Sequence, residues 1–251
     1  MSAEITVERA DGVATITLAA PARRNALTLS MARELTAACE QIDADASVGA
    51  VVVRGEGGFF CAGGDRQLLA QAGRDPATPE SWDGLGEVYR SFARVGELQP
   101  PTIAAVRGGA VGAGVNLAFA TDLRIVSRQA RIFSGFLPIG LHPGGGHGVL
   151  LGRTGQREAT AAMALFGEQI DGARAAELGL AWAAVEDSDV EAVAAQLAAV
   201  PGADPELARR TARSLRAELG PPGLPWAPAL ELERASQMWS MRRKHLAQAD
   251  D

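Results

Sequence analysis

Lysine is almost missing from this 251-residue chain, since only one of its 24 basic residues, Lys244, is a lysine. We attribute this to the composition of the genome. Cysteine is equally scarce: Cys39 and Cys61 are too few for a disulfide framework. No apolar run approaches the roughly 20 residues of a membrane-spanning helix, and no charged-then-apolar leader precedes the first strand-like run. These absences predict a protein of the reducing cytoplasm.

The net charge of the chain argues against binding to a polyanion. Its formal net charge is −6, and the resulting field would repel nucleic acid and anionic membranes. An anionic ligand would therefore need a local basic patch. A hydrophobic content of 47% and 29 glycines are typical of a soluble globular protein with many tight turns.

Strand and helix patterns alternate along most of the chain. Alternating apolar residues around Asp11-Gly12 predict a hairpin with a two-residue turn. A helix capped by Thr28 or Ser30 follows, and then the continuous buried strand "AVVVRG". The segment from Arg131 onward reads as a loop that turns into a helix. This alternation predicts an α/β fold.

After about residue 190 the strand signals stop, and three amphipathic helices are separated by proline- and glycine-bearing breaks. We therefore expect a core over residues 1–190 and a helical region over residues 191–251.

Two segments lead a strand into glycine-rich backbone: "VVVRGEGGFFCAGGDRQ" and "IAAVRGGAVGAGVNLAF". In the second, a helix beginning near Gly112 would direct unpaired N–H groups and its positive dipole end at a ligand, as an anion or oxyanion site requires. A phosphate loop is excluded because no Gly-Lys-Ser/Thr follows, and the dinucleotide G-x-G-x-x-G spacing is not met. Tight packing of helix on strand is the alternative explanation.

Four segments in order, "PARRNALT", "FCAGGD", "GGAVGAGVNLAFATDLRI" and "IGLHPGGG", together resemble the enoyl-CoA hydratase/isomerase family, the crotonase superfamily, over nearly the whole chain. The resemblance implies a crotonase-like spiral of ββα units over residues 1–190, carrying an acyl-CoA site. It also implies that residues 191–251 form a helical oligomerisation region that assembles trimers, often paired into hexamers.

The resemblance also implies the chemistry. The backbone N–H groups of Gly64 and Ala113 would stabilise the negative charge that develops on a thioester oxygen, by roughly 3–4 kcal/mol for each donor. Ala26, Ala62 and Asp65 would line the substrate site, Asp65 in an architectural role. No cofactor is implied besides the coenzyme A thioester itself.

The phosphates of coenzyme A need cations. Arg23 and Arg24 in the early turn are the best local candidates. Arg242, Arg243 and Lys244 in the last helix could reach a phosphate in their own or a neighbouring subunit, although solvated helix charge explains at least one of them equally well.

The sequence departs from the family at its acid/base positions. Where family hydratases have two glutamates, Asn116 and Phe136 stand, and neither exchanges a proton near neutral pH. Some relatives instead have an aspartate in the closing loop, where this chain has Gly144 and Gly145. Asn116 could still hydrogen-bond a substrate or water, and both side chains could equally be structural.

The closing loop offers His142, with His147 at the start of the next helix, as titratable replacements. A loop histidine is more often structural, and the pair lacks the carboxylate or thiolate that a metal site would add. Asp83, Glu87 and Tyr89 lie in the segment that shapes the acyl pocket in the family and stay unassigned.

Two hypotheses follow. In the first, the protein is an acyl-CoA-processing enzyme that has kept the oxyanion hole and moved its proton-transfer group. In the second, it is a non-catalytic acyl-CoA-binding protein, whose apolar cleft would hold no titratable group within about 3 Å of the reacting carbons.

Overall fold

The computed structural model describes residues 3–154, 156–220 and 222–249, without the side chains of residues 226, 227, 229, 242 and 244–249. The strands are β1 (Ile5–Ala10), β2 (Val13–Leu18), β3 (Ala50–Gly55), β4 (Thr102–Val106), β5 (Gly109–Val111), β6 (Leu123–Ser127), β7 (Arg131–Phe133), β8 (Gln169–Ile170) and β9 (Ala183–Val185). The helices are α1 (Leu29–Ala44), α2 (Arg66–Ala72), α3 (Pro79–Gly96), α4 (Ala113–Ala120), α5 (His147–Gly152), α6 (Arg157–Leu165), α7 (Gly172–Glu177), α8 (Val190–Gly202), α9 (Pro205–Leu219) and α10 (Trp226–Ala249).

The strands form two sheets. The larger has the order β1-β2-β3-β4-β6-β9, in which only β1 and β2 are antiparallel. Positive φ angles at Asp11 and Gly12 make the two-residue turn that joins them, so the predicted hairpin is confirmed. The smaller sheet has the order β5-β7-β8. The segment from Arg131 is a correction to the sequence analysis, because it begins as the short strand β7 rather than as a loop.

A repeating unit connects the sheets. β4 lies in the large sheet, β5 in the small sheet, and α4 follows; β6, β7 and α5 repeat the same order. β3 begins a third such unit, whose small-sheet position is the bridge between Cys61 and Ala110. Ala110 in turn pairs with Ile132. The units are therefore stacked in register, and the predicted α/β spiral of ββα units is confirmed.

Both faces of the large sheet are covered. In β3, Val51 and Val53 face the main core, which α1, α3 and α4 complete, while Ala50 and Val52 lie in a second apolar cluster under α8. This double burial explains the continuous apolar run of β3. Thr28 is the cap of α1, because its hydroxyl accepts a hydrogen bond from the Met31 N–H at 3.1 Å.

The C-terminal helices are attached to this core. Within the described residues no strand follows β9, and α8 buries Val190, Ala194 and Ala198 against the sheet. The helical region beyond residue 190 therefore begins with a helix that covers the sheet, and its role in oligomerisation stays a prediction. None of the described helices combines the length and apolar character needed to cross a membrane.

Arg209 of α9 is the polar connection between this region and the core. Its buried guanidinium donates to the carbonyl oxygens of Ile42 at 3.0 Å, Asp43 at 3.1 Å and Val48 at 2.8 Å. The Ile42 and Asp43 carbonyls lie in the last turn of α1, where backbone carbonyls have no i+4 donor within the helix, and the Val48 carbonyl lies in the loop that follows. One side chain therefore connects several carbonyl oxygens at the end of α1 and in the following loop to α9, and the Ile42 oxygen also accepts from the Asp45 N–H.

Replacing Arg209 by methionine is expected to lower the free energy of unfolding by about 3 kcal/mol, because the stem remains while buried carbonyls lose their donor. Arg213→Met, on the exposed side of the same helix, should change it by less than about 0.5 kcal/mol. Urea denaturation of both variants measures the difference, and a loss below about 1 kcal/mol for Arg209→Met would contradict this role.

Candidate active site

The two glycine-rich segments lie side by side because of the stacked register. Cys61 pairs with Ala110, so the residues that follow each of them leave the small sheet at the same level. A Cβ placed on Gly63 would lie 2.7 Å from the Val111 carbonyl oxygen and 3.5 Å from the Ala113 nitrogen. Only a bare backbone permits this approach.

Glycine is also required where the chain enters α4. Gly112 caps that helix with φ +53°, a conformation that side chains disfavour. A Cβ on Gly114 would lie 2.2 Å from the Cys61 carbonyl oxygen. These glycines therefore bring the N-terminus of α4 against the first segment. The tight packing given above as the alternative explanation is present, and the backbone donor site stays a prediction.

Two N–H groups at this junction are free of protein acceptors in the described part of the chain. Leu27 bonds the backbone on both sides of Gly64, donating to the Gly63 carbonyl at 2.8 Å and accepting from the Asp65 N–H at 3.0 Å, so the Gly64 N–H is left out of this pairing. Ala113 is the first residue of α4, so its N–H has no acceptor within the helix. Both residues are partly exposed, and the pair could bind a carbonyl or oxyanion oxygen.

Beside this junction, three buried polar side chains form a hydrogen-bonded chain. The Asn116 Oδ1 lies 2.6 Å from Nδ1 of His147, and Nε2 of His147 lies 2.6 Å from the Ser134 Oγ. The other side of the Asn116 amide, Nδ2, donates to the Gly144 carbonyl oxygen at 2.9 Å. Asn116, His147 and Ser134 are all no more than 3% exposed. We call these three residues the polar chain.

The environment of His147 keeps it neutral. Burial lowers the pKa of its imidazole to about 4, and the Phe136 ring packs edge-on against it with 5.1 Å between ring centroids. Neither polar neighbour, an amide or a hydroxyl, carries a charge that would stabilise an imidazolium. At neutral pH His147 is therefore a neutral imidazole in which one ring nitrogen donates a hydrogen bond and the other accepts one.

The closing loop packs directly on the polar chain. A Cβ on Gly145 would lie 2.9 Å from Asn116 Nδ2 and 2.5 Å from the Phe92 ring, and one on Gly144 would lie 2.2 Å from the Tyr89 hydroxyl. Gly145, which has φ +69°, is thus required by space, whereas a side chain at Gly144 would displace the end of the Tyr89 side chain. Of the three residues left unassigned by the sequence analysis, Asp83, Glu87 and Tyr89, only Tyr89 contacts this loop in the described part of the chain.

The comparison with known proteins identifies the fold. The family model described as Enoyl-CoA hydratase/isomerase matches residues 8–231. This protein belongs to the enoyl-CoA hydratase/isomerase family.

Individual family members are similar to most of the chain. A "Probable enoyl-CoA hydratase" of Mycobacterium tuberculosis is 41% identical over 213 residues, which are 84% of this chain and 81% of the relative. The 1,2-epoxyphenylacetyl-CoA isomerase of Escherichia coli is 34% identical over 190 residues, 74% of this chain and 71% of the relative. The crystal structure of an enoyl-CoA hydratase from Polaromonas sp. superposes with a TM-score of 0.85 at 26% identity, covering 94% of this chain and 91% of that one. The resemblance drawn from the sequence motifs is confirmed.

In this family member His142 of the closing loop and His147 at the start of α5 lie in different environments. His142 is exposed, and its Nδ1 lies 2.6 Å from the carbonyl oxygen of the adjacent Pro143. It takes no part in the polar chain, whereas His147 is its central member. Asp83 is exposed and Glu87 pairs with Arg33 at 2.6 Å, so neither carboxylate belongs to the polar chain. Among the described residues, no group of three or more metal-ligating side chains is brought together.

The predicted phosphate-binding arginines also differ in surroundings. Arg23 pairs with Glu4 at 2.7 Å and donates to the Ala26 carbonyl at 3.1 Å. Arg24 is exposed and lies over the Phe59 ring at 5.6 Å, with no carboxylate partner among the described residues. In the last helix Arg243 pairs with Asp204 at 2.6 Å, while the side chains of Arg242 and Lys244 lie outside the described residues.

The remaining predicted substrate-binding residues border the first glycine segment. Ala26 is buried and Ala62 half-buried, and the Ala62 N–H donates to the Arg24 carbonyl at 2.9 Å. The Asp65 carboxylate caps α2 by accepting from the N–H groups of Gln67 and Leu68, an architectural position. Ser134 is the residue that the sequence analysis missed, and only its register opposite Gly112 could have pointed to it.

The depressed pKa of His147 predicts a pH dependence of stability. The unfolded chain binds this proton below about pH 6.5, but the folded chain binds it only below about pH 4. Unfolding therefore takes up a proton between these pH values. The contribution of neutral His147 to the free energy of unfolding is fully present above about pH 6.5, and it falls by at most roughly 3 kcal/mol as the pH is lowered toward 4.

We expect His147→Gln to remove this part of the difference in free energy of unfolding between pH 7 and pH 4, as measured by urea denaturation. His142→Gln, at the exposed histidine, should leave the difference unchanged. An unaltered difference in His147→Gln would contradict a buried neutral imidazole.

Proposed function

We propose that the protein binds an acyl-CoA thioester with the carbonyl oxygen between the N–H groups of Gly64 and Ala113, and that it promotes a reaction that places negative charge on this oxygen. The observation that supports this proposal is that both N–H groups, which belong to adjacent turns of the spiral, have no acceptor among the described residues. Two preorganised donors favour a developing oxyanion over a neutral carbonyl.

The relatives support a thioester substrate and leave the reaction open. Their names include an epoxyacyl-CoA isomerase as well as hydratases. A shared oxyanion site serves all such reactions, because each of them places charge on the thioester oxygen, while the proton-transfer groups decide which bond changes.

Conventional hydration requires groups that this site does not supply. Both ends of the Asn116 amide are already bonded to Gly144 and His147, and Phe136 presents an aromatic ring. We therefore propose that another group has taken over proton transfer. His142 is the candidate from the sequence, and His147 is the imidazole that lies at the site.

Arg24 is the proposed contact for a coenzyme A phosphate. It is exposed and stacked on Phe59, whereas Arg23 is paired with Glu4 and would have to exchange partners. Lys244 remains a candidate from the sequence alone. The chemistry needs no cofactor besides the thioester, and the protein is expected to act in the cytoplasm without nucleic-acid or membrane partners.

We also propose that residues 191–251 mediate association into a trimer or hexamer. In α10 the side chains of Leu230, Met238 and Met241 are 44%, 62% and 59% exposed. Such a group of exposed apolar side chains on one helix is typical of a surface that contacts another protein. Trp239 is less available, because Arg210 and Arg243 lie over its ring at 4.0 and 5.5 Å.

The second candidate function is an acyl-CoA-binding protein without turnover. The observation that favours it is that every polar group of the polar chain is satisfied internally and that His147 is a weak base. The two candidates agree on binding and differ on turnover.

We expect hydration of crotonyl-CoA to be at least about 10²-fold slower than in a hydratase with both glutamates, because each proton-transfer group contributes typically 10²–10⁴-fold. Binding of crotonyl-CoA should persist. Titration calorimetry and the loss of enoyl-thioester absorbance, measured on one preparation, test both statements. Hydration at an ordinary rate would show that another residue or a water replaces the glutamates.

Ala113→Pro tests the oxyanion site. Proline is tolerated at the first position of a helix, so the substitution removes the N–H without breaking a bond within α4. We expect turnover to fall by about 10²–10³-fold, whereas Ala113→Gly, which keeps the N–H, should retain most of it. Equal activities of the two variants, with binding intact, would disprove the donor role of Ala113.

A further inference from the structure

We propose that the polar chain is an acyl-transfer unit, in which Ser134 attacks the acyl carbonyl, His147 moves the proton and Asn116 holds the imidazole. This inference rests on the proposed function, because it needs a thioester carbonyl bound at Gly64 and Ala113. It assigns thioester hydrolysis through an ester of Ser134 as the reaction of the site.

The directions of the hydrogen bonds follow from one backbone group. The Gly144 carbonyl can only accept, so the Asn116 amide must direct Nδ2 toward it and Oδ1 toward His147. The Nδ1 of His147 therefore carries the proton, and Nε2 is left as an acceptor. Ser134 then donates its hydroxyl proton to Nε2. This is the arrangement that a serine needs in order to lose its proton on attack.

The register places Ser134 beside Gly112, the residue before the proposed donor Ala113. β5 and β7 are parallel, with Val111 opposite Phe133, so Gly112 and Ser134 follow at the same level. The Gly112 N–H donates to the Phe133 carbonyl at 3.2 Å. Ser134 thus stands beside Gly112, the residue that precedes Ala113, and the proposed nucleophile and oxyanion donor follow the ends of two neighbouring strands.

The other nucleophile of this region is unsuited to the reaction. Burial raises the pKa of Cys61 to about 12, so its thiol stays protonated. The three residues of the polar chain are buried, with Gly144 and Gly145 of the closing loop against Asn116. In the proposed reaction this loop must therefore open before an acyl group can reach Ser134.

The reaction has two balanced steps. The Ser134 proton passes to Nε2 of His147 as the Oγ–C bond forms, and the C–S bond then breaks as His147 protonates the departing sulfur of coenzyme A. A water molecule next attacks the ester carbonyl and gives its proton to Nε2, and the C–Oγ bond breaks as Ser134 regains a proton. Acyl-CoA and water become carboxylic acid and free coenzyme A.

The test follows thiol release from acetyl-, crotonyl- and phenylacetyl-CoA, together with mass spectrometry of the protein after an acid quench. We expect free coenzyme A and an acyl ester on the peptide that contains Ser134. Ser134→Ala should abolish both, and His147→Gln should lower thiol release by about 10²-fold or more. Asn116→Asp, which can still accept from Nδ1 of His147, should retain a measurable rate.

A matched control is Ser91→Ala, which removes an equally buried hydroxyl bonded only to the Val88 carbonyl in α3. It should leave thiol release unchanged. A small fluorophosphonate, which labels activated serines whatever the acyl chain, should modify Ser134 in the parent and not in His147→Gln.

Parental thiol release by a folded Ser134→Ala would overturn the inference. So would binding of crotonyl-CoA with no thiol release from any of the three thioesters and no labelling of Ser134, an outcome that leaves the proposed thioester site standing. Failure to bind crotonyl-CoA would overturn the proposed function and the acyl-transfer unit together.

Discussion

Backbone pairing across the small sheet is the constraint on which the site depends. Cys61, Ala110 and Ile132 are held at one level by parallel bridges. Each is followed by a segment that leaves the sheet toward the same place, so donors from one turn of the spiral meet side chains from the next. Because these are main-chain hydrogen bonds, the arrangement is independent of the side chains that later do the chemistry. The positions of the proposed donors Gly64 and Ala113 therefore do not depend on which side chains stand at residues 116 and 136.

The glycines allow the backbone of neighbouring turns of the spiral to approach closely. Gly63 and Gly114 occupy positions where a Cβ would meet backbone of the neighbouring turn, and Gly112 adopts a left-handed conformation that starts α4 at the correct angle. The conformational entropy that these residues lose is the cost of bringing helix and loop together. The gain is a pair of half-exposed N–H groups beside a buried, apolar interior, where hydrogen bonds to a developing charge are strong.

The departures from the family pattern are mutually consistent. With asparagine in place of glutamate, an amide can bridge Gly144 and His147 without the energetic cost of burying a charge. With Phe136 against the imidazole, His147 stays neutral. Asn116 and Phe136, which we propose stand where family hydratases have glutamates, therefore accommodate a buried, neutral imidazole.

Much of this protein could be predicted from its sequence, because local patterns carry local structure. Spacing and residue type indicated the Asp11-Gly12 hairpin, the buried strand at "AVVVRG" and the glycine-rich entrance to α4, and four motifs in order indicated the family. They also limited the cap of α1 to Thr28 or Ser30, of which the structure has Thr28. The short strand β7 was not, since three residues give no periodicity. Nor were the partners of Asn116, because Ser134, His147 and Asn116 are separated by 13 and 31 positions and meet only when the spiral stacks and the closing loop folds back. The sequence distinguished the loop residue His142 from His147, at the start of the next helix, by position alone. The tertiary structure decided that His142 is exposed and His147 buried, because burial is a property of the packed chain.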